Sequence, residues 1–103
     1  MRKNKLKKLF KEGKAAINGC IEIPSSYSAQ AMAHQGWDSL TIDLQHGMFS
    51  FEKCRDIIQV IEKYKVFPIV RVPSNDIGII NKVLDAGASV SYTHLTLPTS
   101  DLV

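Results

Sequence analysis

The chain has 103 residues, of which 45% are hydrophobic and 22% charged, and its formal net charge is +3. This length holds one small domain or part of a larger one, and the composition is that of an ordinary soluble globular protein. No apolar run approaches the roughly 20 residues that span a bilayer, which excludes a membrane-spanning segment. The basic start lacks the apolar segment and cleavage site of a secretory signal, so we expect a cytoplasmic protein.

Positive charge is concentrated at the start of the chain. Residues 1–14 contain seven Lys and Arg against one Glu, a net +6, so the remainder carries −3. Such a basic head could contact nucleic acid or a membrane surface. Leu6, Leu9 and Phe10 follow helical spacing, which favours a short amphipathic helix packed on the body. No aromatic–basic interleaving or known motif supports nucleic-acid binding, so we expect neither a nucleic-acid nor a membrane partner.

Apolar runs bounded by turn residues alternate with amphipathic stretches along the rest of the chain. Pro24 stops the first strand, because proline cannot donate to a sheet ladder, and Gly36 ends the first of these helices. Ser50 is expected to cap the next helix, and Ser74 or Asn75 the one after it. The predicted order is a strand over 15–23, a helix from Ser25 or Ser26 to Ala33, a strand over 40–42, a helix from 51 to about 64, a strand over 66–72 and a helix ending at 85–87.

The two later helices each carry their apolar residues on one face, which predicts that they lie against a sheet. Strand–helix order with short connections indicates a parallel sheet with right-handed crossovers, an α/β fold. Three such units leave both outer strands unpaired, so the native sheet is expected to be larger. The apolar stripes comprise Phe51, Cys54, Ile57, Ile58, Ile61 and Tyr64 in the first helix and Ile77, Ile80, Val83 and Leu84 in the second. Cys20 and Cys54 lack metal-type spacing, and both are expected to be buried in a reducing cytoplasm.

Two ionisable residues follow the second strand. Asp43 and His46 lie where the strand gives way to a loop, and α/β enzymes place their chemistry at the carboxyl ends of parallel strands. The alternative is that Asp43 caps a turn and His46 is a solvated loop residue. Spacing alone does not decide between these two interpretations.

Several motifs, in order, resemble the HpcH/HpaI aldolase/citrate lyase family. The resemblance covers roughly residues 5–88, and it implies a (β/α)₈ barrel of about 250 residues. Residues 1–88 would then be the amino-terminal part of that barrel, its first three βα units. The motifs are SSYSA at 25–29, GWDSL at 36–40, IDLQHG at 42–47, VRVPSND at 70–76 and VLDAGA at 83–88.

The resemblance also implies roles for particular residues. By this analogy His46 is the catalytic base, Arg71 holds the pyruvate oxygen that becomes an enolate, and Asp85 pairs with the His across a subunit interface. Asp43 and Gln45 would lie near the substrate and metal. An enolate needs a proton acceptor that works near neutral pH and a fixed positive charge, tasks that suit His and Arg. A homo-oligomer is therefore expected.

The resemblance further implies a divalent metal ion, such as Mg, Mn or Co, that stabilises the enolate oxygen. The family's metal ligands are a Glu and an Asp on later strands, so no ligand is expected among these 103 residues. The sequence departs from many members in having Gln45 where they have Glu. A further departure is that no aromatic residue stands near Gly19 and Cys20, at the end of the first strand.

The last residues differ from the family pattern, which continues with a fourth apolar strand. Residues 90–99 read VSYTHLTLPT, which looks like a translated adapter from a sequencing library. We therefore interpret 89–103 as a non-native tail and assign it no function, although Tyr92, Thr93 and Leu95 have strand propensity and His94 could be mistaken for a ligand.

The resemblance implies an aldolase, a carbon–carbon lyase that cleaves a 4-hydroxy-2-oxo acid to pyruvate, or a related 2-oxo acid, and an aldehyde. Its substrate would be a small 2-oxo acid, and the truncated chain itself is expected to be inactive. One alternative is a coenzyme A-ester lyase of the citrate lyase β-subunit type, which shares barrel and enolate chemistry. A non-enzymatic alternative is an α/β module whose basic head binds an anionic partner.

Overall fold

Helices and strands alternate through residues 5–92, the part of the chain that the computed structural model describes. The predicted strand–helix order is confirmed, with strand ends that differ from the predicted ones by one to three residues. None of the helices within residues 5–92 has both the length and the apolar content needed to cross a membrane. The elements are α1 (Lys5–Lys11), β1 (Asn18–Ile21), α2 (Ser26–Ala33), β2 (Ser39–Asp43), α3 (Phe51–Ile61), β3 (Phe67–Arg71), α4 (Ile77–Asp85) and β4 (Val90–Tyr92).

The strands form one parallel sheet in the order β1-β2-β3-β4, which confirms the α/β architecture. A fourth strand is present where three were predicted. It forms because the backbone of β3 offers a free edge: Ser89 N–H donates to Pro68 O and Val72 N–H to Tyr92 O, both at 2.8 Å. This strand falls in the segment interpreted as a tail, whose remainder, residues 93–103, lies outside the described residues. The boundary at residue 88 stays a prediction.

The two faces of the sheet differ in chemistry, because successive side chains of a strand point to opposite faces. One face is apolar and joins the helices in a single core, in which the stripe residues Cys54, Ile57, Ile58 and Ile61 of α3 are fully buried. The other face is polar near its start: Asn18 Oδ1 accepts hydrogen bonds from Ser39 at 2.8 Å and Thr41 at 3.0 Å. The sheet residues in the core include Ile21, Leu40, Ile42 and Val70, and Val72, directly after β3, joins them.

Caps fix where the helices begin. Ser50 caps α3 as predicted, accepting a hydrogen bond from the backbone N–H of Lys53. Of the two candidates Ser25 and Ser26, Ser25 caps α2 and accepts from the backbone N–H of Ser28. Asp76 caps α4, so the expectation of Ser74 or Asn75 is wrong; its carboxylate accepts from Gly78 N–H at 2.7 Å.

Three apolar positions are less buried than their pattern predicted. On α4 only Val83 is fully buried, while Ile77 and Leu84 stay exposed. On α1, Leu6 is buried, which supports packing of this helix on the body, but Phe10 is 62% exposed. Cys54 is buried as expected, and burial raises the pKa of its thiol to about 12. Cys20 is exposed, because it lies on the polar face of the sheet rather than among the helices.

Candidate active site

The carboxyl edge of the sheet carries a row of ionisable side chains. Asp43 is aligned with Arg71 in the register of β2 and β3. Ile21 of β1 is aligned with Ile42 of β2, so Glu22, the residue after Ile21, comes level with Asp43. Residues aligned on neighbouring parallel strands project from the same face. The fold therefore brings Glu22, Asp43 and Arg71 together at the level where the strands end and the loops begin.

Asp43 and Arg71 form a two-point ion pair. Arg71 Nε donates to Asp43 Oδ1 at 2.9 Å, and Arg71 Nη2 donates to Asp43 Oδ2. Asp43 is 1% exposed, and this burial alone would raise its pKa; hydrogen bonds from Arg71 and from the backbone outweigh burial and hold the pKa below its ordinary range. Hydrogen bonding to Asp43 in turn raises the pKa of Arg71. Both groups are therefore charged at neutral pH.

The carboxylate of Asp43 also fixes the loop that carries His46. Its Oδ1 accepts from the backbone N–H groups of Gln45 at 2.9 Å and His46 at 3.0 Å, so the turn-capping interpretation of Asp43 describes part of what it does. Gly47 closes this turn, since an added Cβ would overlap Asp43 O and lie 2.9 Å from the Phe49 ring. The imidazole of His46 is exposed, on a backbone tied to the same carboxylate that holds Arg71.

Glu22 is a member of this group that the sequence did not identify. Its Oε2 lies 3.2 Å from the position of a Cβ built on Gly47, so its carboxyl group reaches over the His46 loop. Burial and a hydrogen bond with Asp43 raise the pKa of Glu22, while the charges of Arg71 and His46 oppose that shift. The available signal was the apolar–polar–apolar alternation of residues 21–23 at a strand end, which becomes informative only once the register is known.

Asp85 and Gln45 differ from the other predicted residues. Asp85 is the exposed last residue of α4, the helix that returns from the carboxyl end of β3 to the start of β4. It therefore lies toward the opposite edge of the sheet, and a single chain does not bring it to His46. Gln45 is half-buried, and its described hydrogen bond is made by its backbone N–H.

A metal ion is not accommodated by the described residues alone. Within residues 5–92 no group of three or more His, Cys, Asp or Glu is arranged to hold one. The oxygens of Asp43 are already engaged by Arg71, two backbone N–H groups and Glu22. The exposed groups nearby, Glu22 and His46, are fewer than the ligands that a bound divalent ion takes from proteins.

The sequence and the fold both have known relatives. The chain is 35% identical over 85 residues to a "Hydroxypyruvate/pyruvate aldolase" of Rhizorhabdus wittichii, covering 82% of this chain and 34% of the relative. It is also 35% identical to a "4-hydroxy-2-oxo-heptane-1,7-dioate aldolase" of Salmonella dublin, covering 84% of this chain and 33% of that protein. This chain therefore spans about a third of the length of these curated relatives.

Solved structures with a similar fold also include members of an aldolase family. An HpcH/HpaI aldolase/citrate lyase family protein from Burkholderia cenocepacia J2315 superposes with a TM-score of 0.78 and 29% identity. The match covers 86% of this chain and 36% of that structure, which is a TIM-barrel protein, so the sheet corresponds to part of such a barrel. The family model described as HpcH/HpaI aldolase/citrate lyase matches residues 22–99. The chain belongs to the HpcH/HpaI aldolase/citrate lyase family.

Proposed function

We propose that the complete gene product containing these residues is an aldolase. It would cleave a 4-hydroxy-2-oxo acid to pyruvate, or a related 2-oxo acid, and an aldehyde. Family membership supports this proposal, as do the relatives named for pyruvate and hydroxy-oxo acid aldolase activities. Because the chain spans about a third of those relatives, we propose the activity for the complete gene product and not for these 103 residues alone.

The observation that carries the proposal is the way Asp43 presents Arg71. The ion pair engages Nε and Nη2, and among residues 5–92 the two N–H groups of Nη1 have no hydrogen-bond partner. The guanidinium is therefore held in one orientation with donors to spare. In the proposed reaction Nη1 donates to the 2-oxo oxygen, on which negative charge develops as the enolate forms, and a preoriented donor stabilises that charge.

His46 is the proposed proton acceptor. Its imidazole is exposed, while its backbone is held by the carboxylate that orients Arg71. In the cleavage direction the base takes the proton of the 4-hydroxyl, and the bond between carbons 3 and 4 breaks to give aldehyde and enolate. A proton then adds to carbon 3 of the enolate, completing the 2-oxo acid. Imidazole suits both transfers because this group ordinarily titrates near neutral pH.

The proposal also includes a metal ion and a second copy of the chain, neither of which is present among the described residues. A divalent metal ion such as Mg, Mn or Co would supply Lewis-acid stabilisation of the same oxygen, held by ligands other than those of residues 5–92. Asp85 would pair with His46 of a second copy, which makes the active protein a homo-oligomer. The proposed partner is otherwise a small 2-oxo acid, with neither nucleic acid nor membrane involved, and the proposed site of action is the cytoplasm.

The test measures two activities of the complete gene product with added Mg²⁺, Mn²⁺ or Co²⁺. One substrate is 4-hydroxy-2-oxopentanoate, with pyruvate release as the signal. The other is a 3-hydroxyacyl coenzyme A thioester that also bears one free carboxylate, with release of a shorter acyl coenzyme A as the signal. Metal-dependent pyruvate release supports the proposal. Cleavage of the coenzyme A ester alone would establish the lyase alternative that the family description includes, and cleavage of neither would contradict both.

A further inference from the structure

We propose that Glu22 determines which aldehyde the proposed aldolase accepts, favouring an uncharged aldehyde over one that carries a carboxylate. This inference rests on the proposed function, because it concerns the second substrate of the same site. The family resemblance assigned no role to position 22, and the side chain enters the site through the sheet register alone.

The position of Glu22 puts its carboxyl group among the reacting groups. It follows β1 at the level of Asp43 and Arg71, and its Oε2 lies 3.2 Å from where a Cβ of Gly47 would stand, beside His46. The side chain is exposed, whereas that of Asp43 is not. A small molecule held by Arg71 and attacked beside His46 therefore meets the Glu22 carboxylate at close range.

Among the described ionisable side chains at the carboxyl edge of the sheet, Glu22 carries a charge that no ion pair neutralises. Asp43 and Arg71 neutralise each other through two hydrogen bonds, so the pair adds little net charge. Glu22, Asp43 and Arg71 together therefore sum to −1, and the surplus charge is that of Glu22. Burial and the hydrogen bond with Asp43 raise the pKa of Glu22, so the comparison is made at about pH 8, well above the ordinary range of a carboxyl group.

This surplus charge acts on the incoming aldehyde. In the synthetic direction a bond forms between carbon 3 of pyruvate and the aldehyde carbon, and the proton lost from carbon 3 is balanced by the one gained by the new hydroxyl. A carboxylate on the aldehyde substrate is repelled by Glu22, whereas a hydroxyl substituent on that substrate can donate a hydrogen bond to the Glu22 carboxylate. A unit charge a few ångströms away in a largely aqueous site changes a rate about fivefold.

The test compares succinic semialdehyde with butanal, which has the same four carbons but no carboxylate. The complete gene product and its Glu22→Gln and Glu62→Gln variants are assayed for kcat/KM with each aldehyde, at low salt to limit screening. Glu62 is the matched control, an exposed carboxylate at the far end of α3. Glu22→Gln should raise the ratio for succinic semialdehyde over butanal about fivefold, and Glu62→Gln should leave it unchanged.

Exchange of the pyruvate methyl protons, measured without aldehyde, separates this inference from the proposed function. In the Glu22→Gln variant the ratio between the two aldehydes should change more than the exchange rate does, since the removed charge acts on the aldehyde. If exchange is retained and the aldehyde ratio does not change, Glu22 does not select the aldehyde. If Glu22→Gln abolishes exchange, Glu22 belongs to the enolisation step and the selectivity role is wrong. No exchange in the unmodified protein would overturn the proposed function itself.

Discussion

At the scale of single residues, one carboxylate organises the candidate site. Asp43 holds Arg71 through two hydrogen bonds and anchors the backbone of His46 through a third. The proposed base and the proposed oxyanion partner are thus fixed relative to each other by a group that need not touch substrate. Its oxygens are also satisfied, which explains how a buried carboxylate remains charged.

The lowered pKa of Asp43 predicts a particular response to acid. A carboxyl group whose pKa is lowered in the folded state contributes stability above its ordinary pKa of about 4, and that contribution is lost as the pH falls further. We expect the complete gene product to lose stability between about pH 4 and 2 more steeply than its Asp43→Asn variant, in which position 43 does not titrate. Urea unfolding at a series of pH values measures this difference.

The control for this prediction is Asp56→Asn. Asp56 makes a surface ion pair with Arg55 at 3.7 Å, an interaction of little value in water. Its variant should keep the acid dependence of the unmodified protein. Equal slopes for the unmodified protein and Asp43→Asn would show that the Asp43 pKa is not lowered by folding.

Asp85 gives a second prediction at this scale. Because Asp85 lies toward the opposite edge of the sheet from His46, we propose that it acts on the His46 of a second copy of the chain. We expect Asp85→Asn to slow pyruvate exchange less than His46→Ala does, since Asp85 would orient the imidazole without taking the proton. Co-expressing His46→Ala with Asp85→Ala should then restore part of the activity, because some mixed interfaces carry both intact residues. A mixture no more active than its components would remove Asp85 from the site.

At the scale of elements, hydrophobic periodicity predicted most of the fold. The spacing of residues 51–64 identified α3 and its buried face, and Ser50 was recognised as its cap because serine side chains bond locally. At the start of α2 the sequence offered Ser25 and Ser26 equally, and Ser25 is the cap. The Asp76 cap was missed because Ser74, Asn75 and Asp76 are all good caps, and the backbone conformation chooses among them. The exposure of Ile77 was missed because a stripe shows which face is apolar and not what covers it.

The turn after α4 provides a matched pair of glycine substitutions. Gly87 has φ +119°, and an added Cβ would lie 3.1 Å from Ile58 Cγ2 and collide with the Glu62 carboxylate. Gly36, after α2, has φ +88° and nothing within 4 Å of such a Cβ. Thermal or urea unfolding should show that Gly36→Ala costs about 1 kcal/mol for its backbone conformation, and that Gly87→Ala costs more because it adds steric overlap. Equal costs would contradict the crowding at Gly87.

At the scale of the whole molecule, the described residues leave apolar surface and strand edges open. Within residues 5–92, β1 and β4 each pair on one side only, and side chains such as Ile23, Tyr27 and Ile77 are more than 60% exposed. Open edges and exposed apolar groups promote association. The 103 residues produced alone should aggregate or bind hydrophobic dyes, and should lack aldolase activity. A sharp thermal transition from a monomer would contradict the first expectation, and cleavage above the metal-only background the second.

The site was predictable to different degrees for identifiable reasons. Asp43, His46 and Arg71 could be proposed from the sequence because strand ends can be located there and because their motifs resemble a family. Glu22 was missed because its place beside Asp43 depends on the pairing of β1 with β2, which is a long-range property. The dual role of Asp43 was not predictable either, since a part in the chemistry and turn capping appeared in the sequence as alternatives, and nothing in the sequence indicated the ion pair with Arg71.

The central claim is that His46 and Arg71 act together on a 2-oxo acid to form an enolate. Exchange of the pyruvate methyl protons with deuterated solvent, followed by NMR, isolates that step because no aldehyde takes part. His46→Ala should slow exchange about a hundred- to ten-thousand-fold through loss of the base, and Arg71→Ala about a hundred- to thousand-fold through loss of the oxyanion donor. Both variants should remain folded, as judged by circular dichroism. Exchange at the unmodified rate in folded His46→Ala would contradict the account.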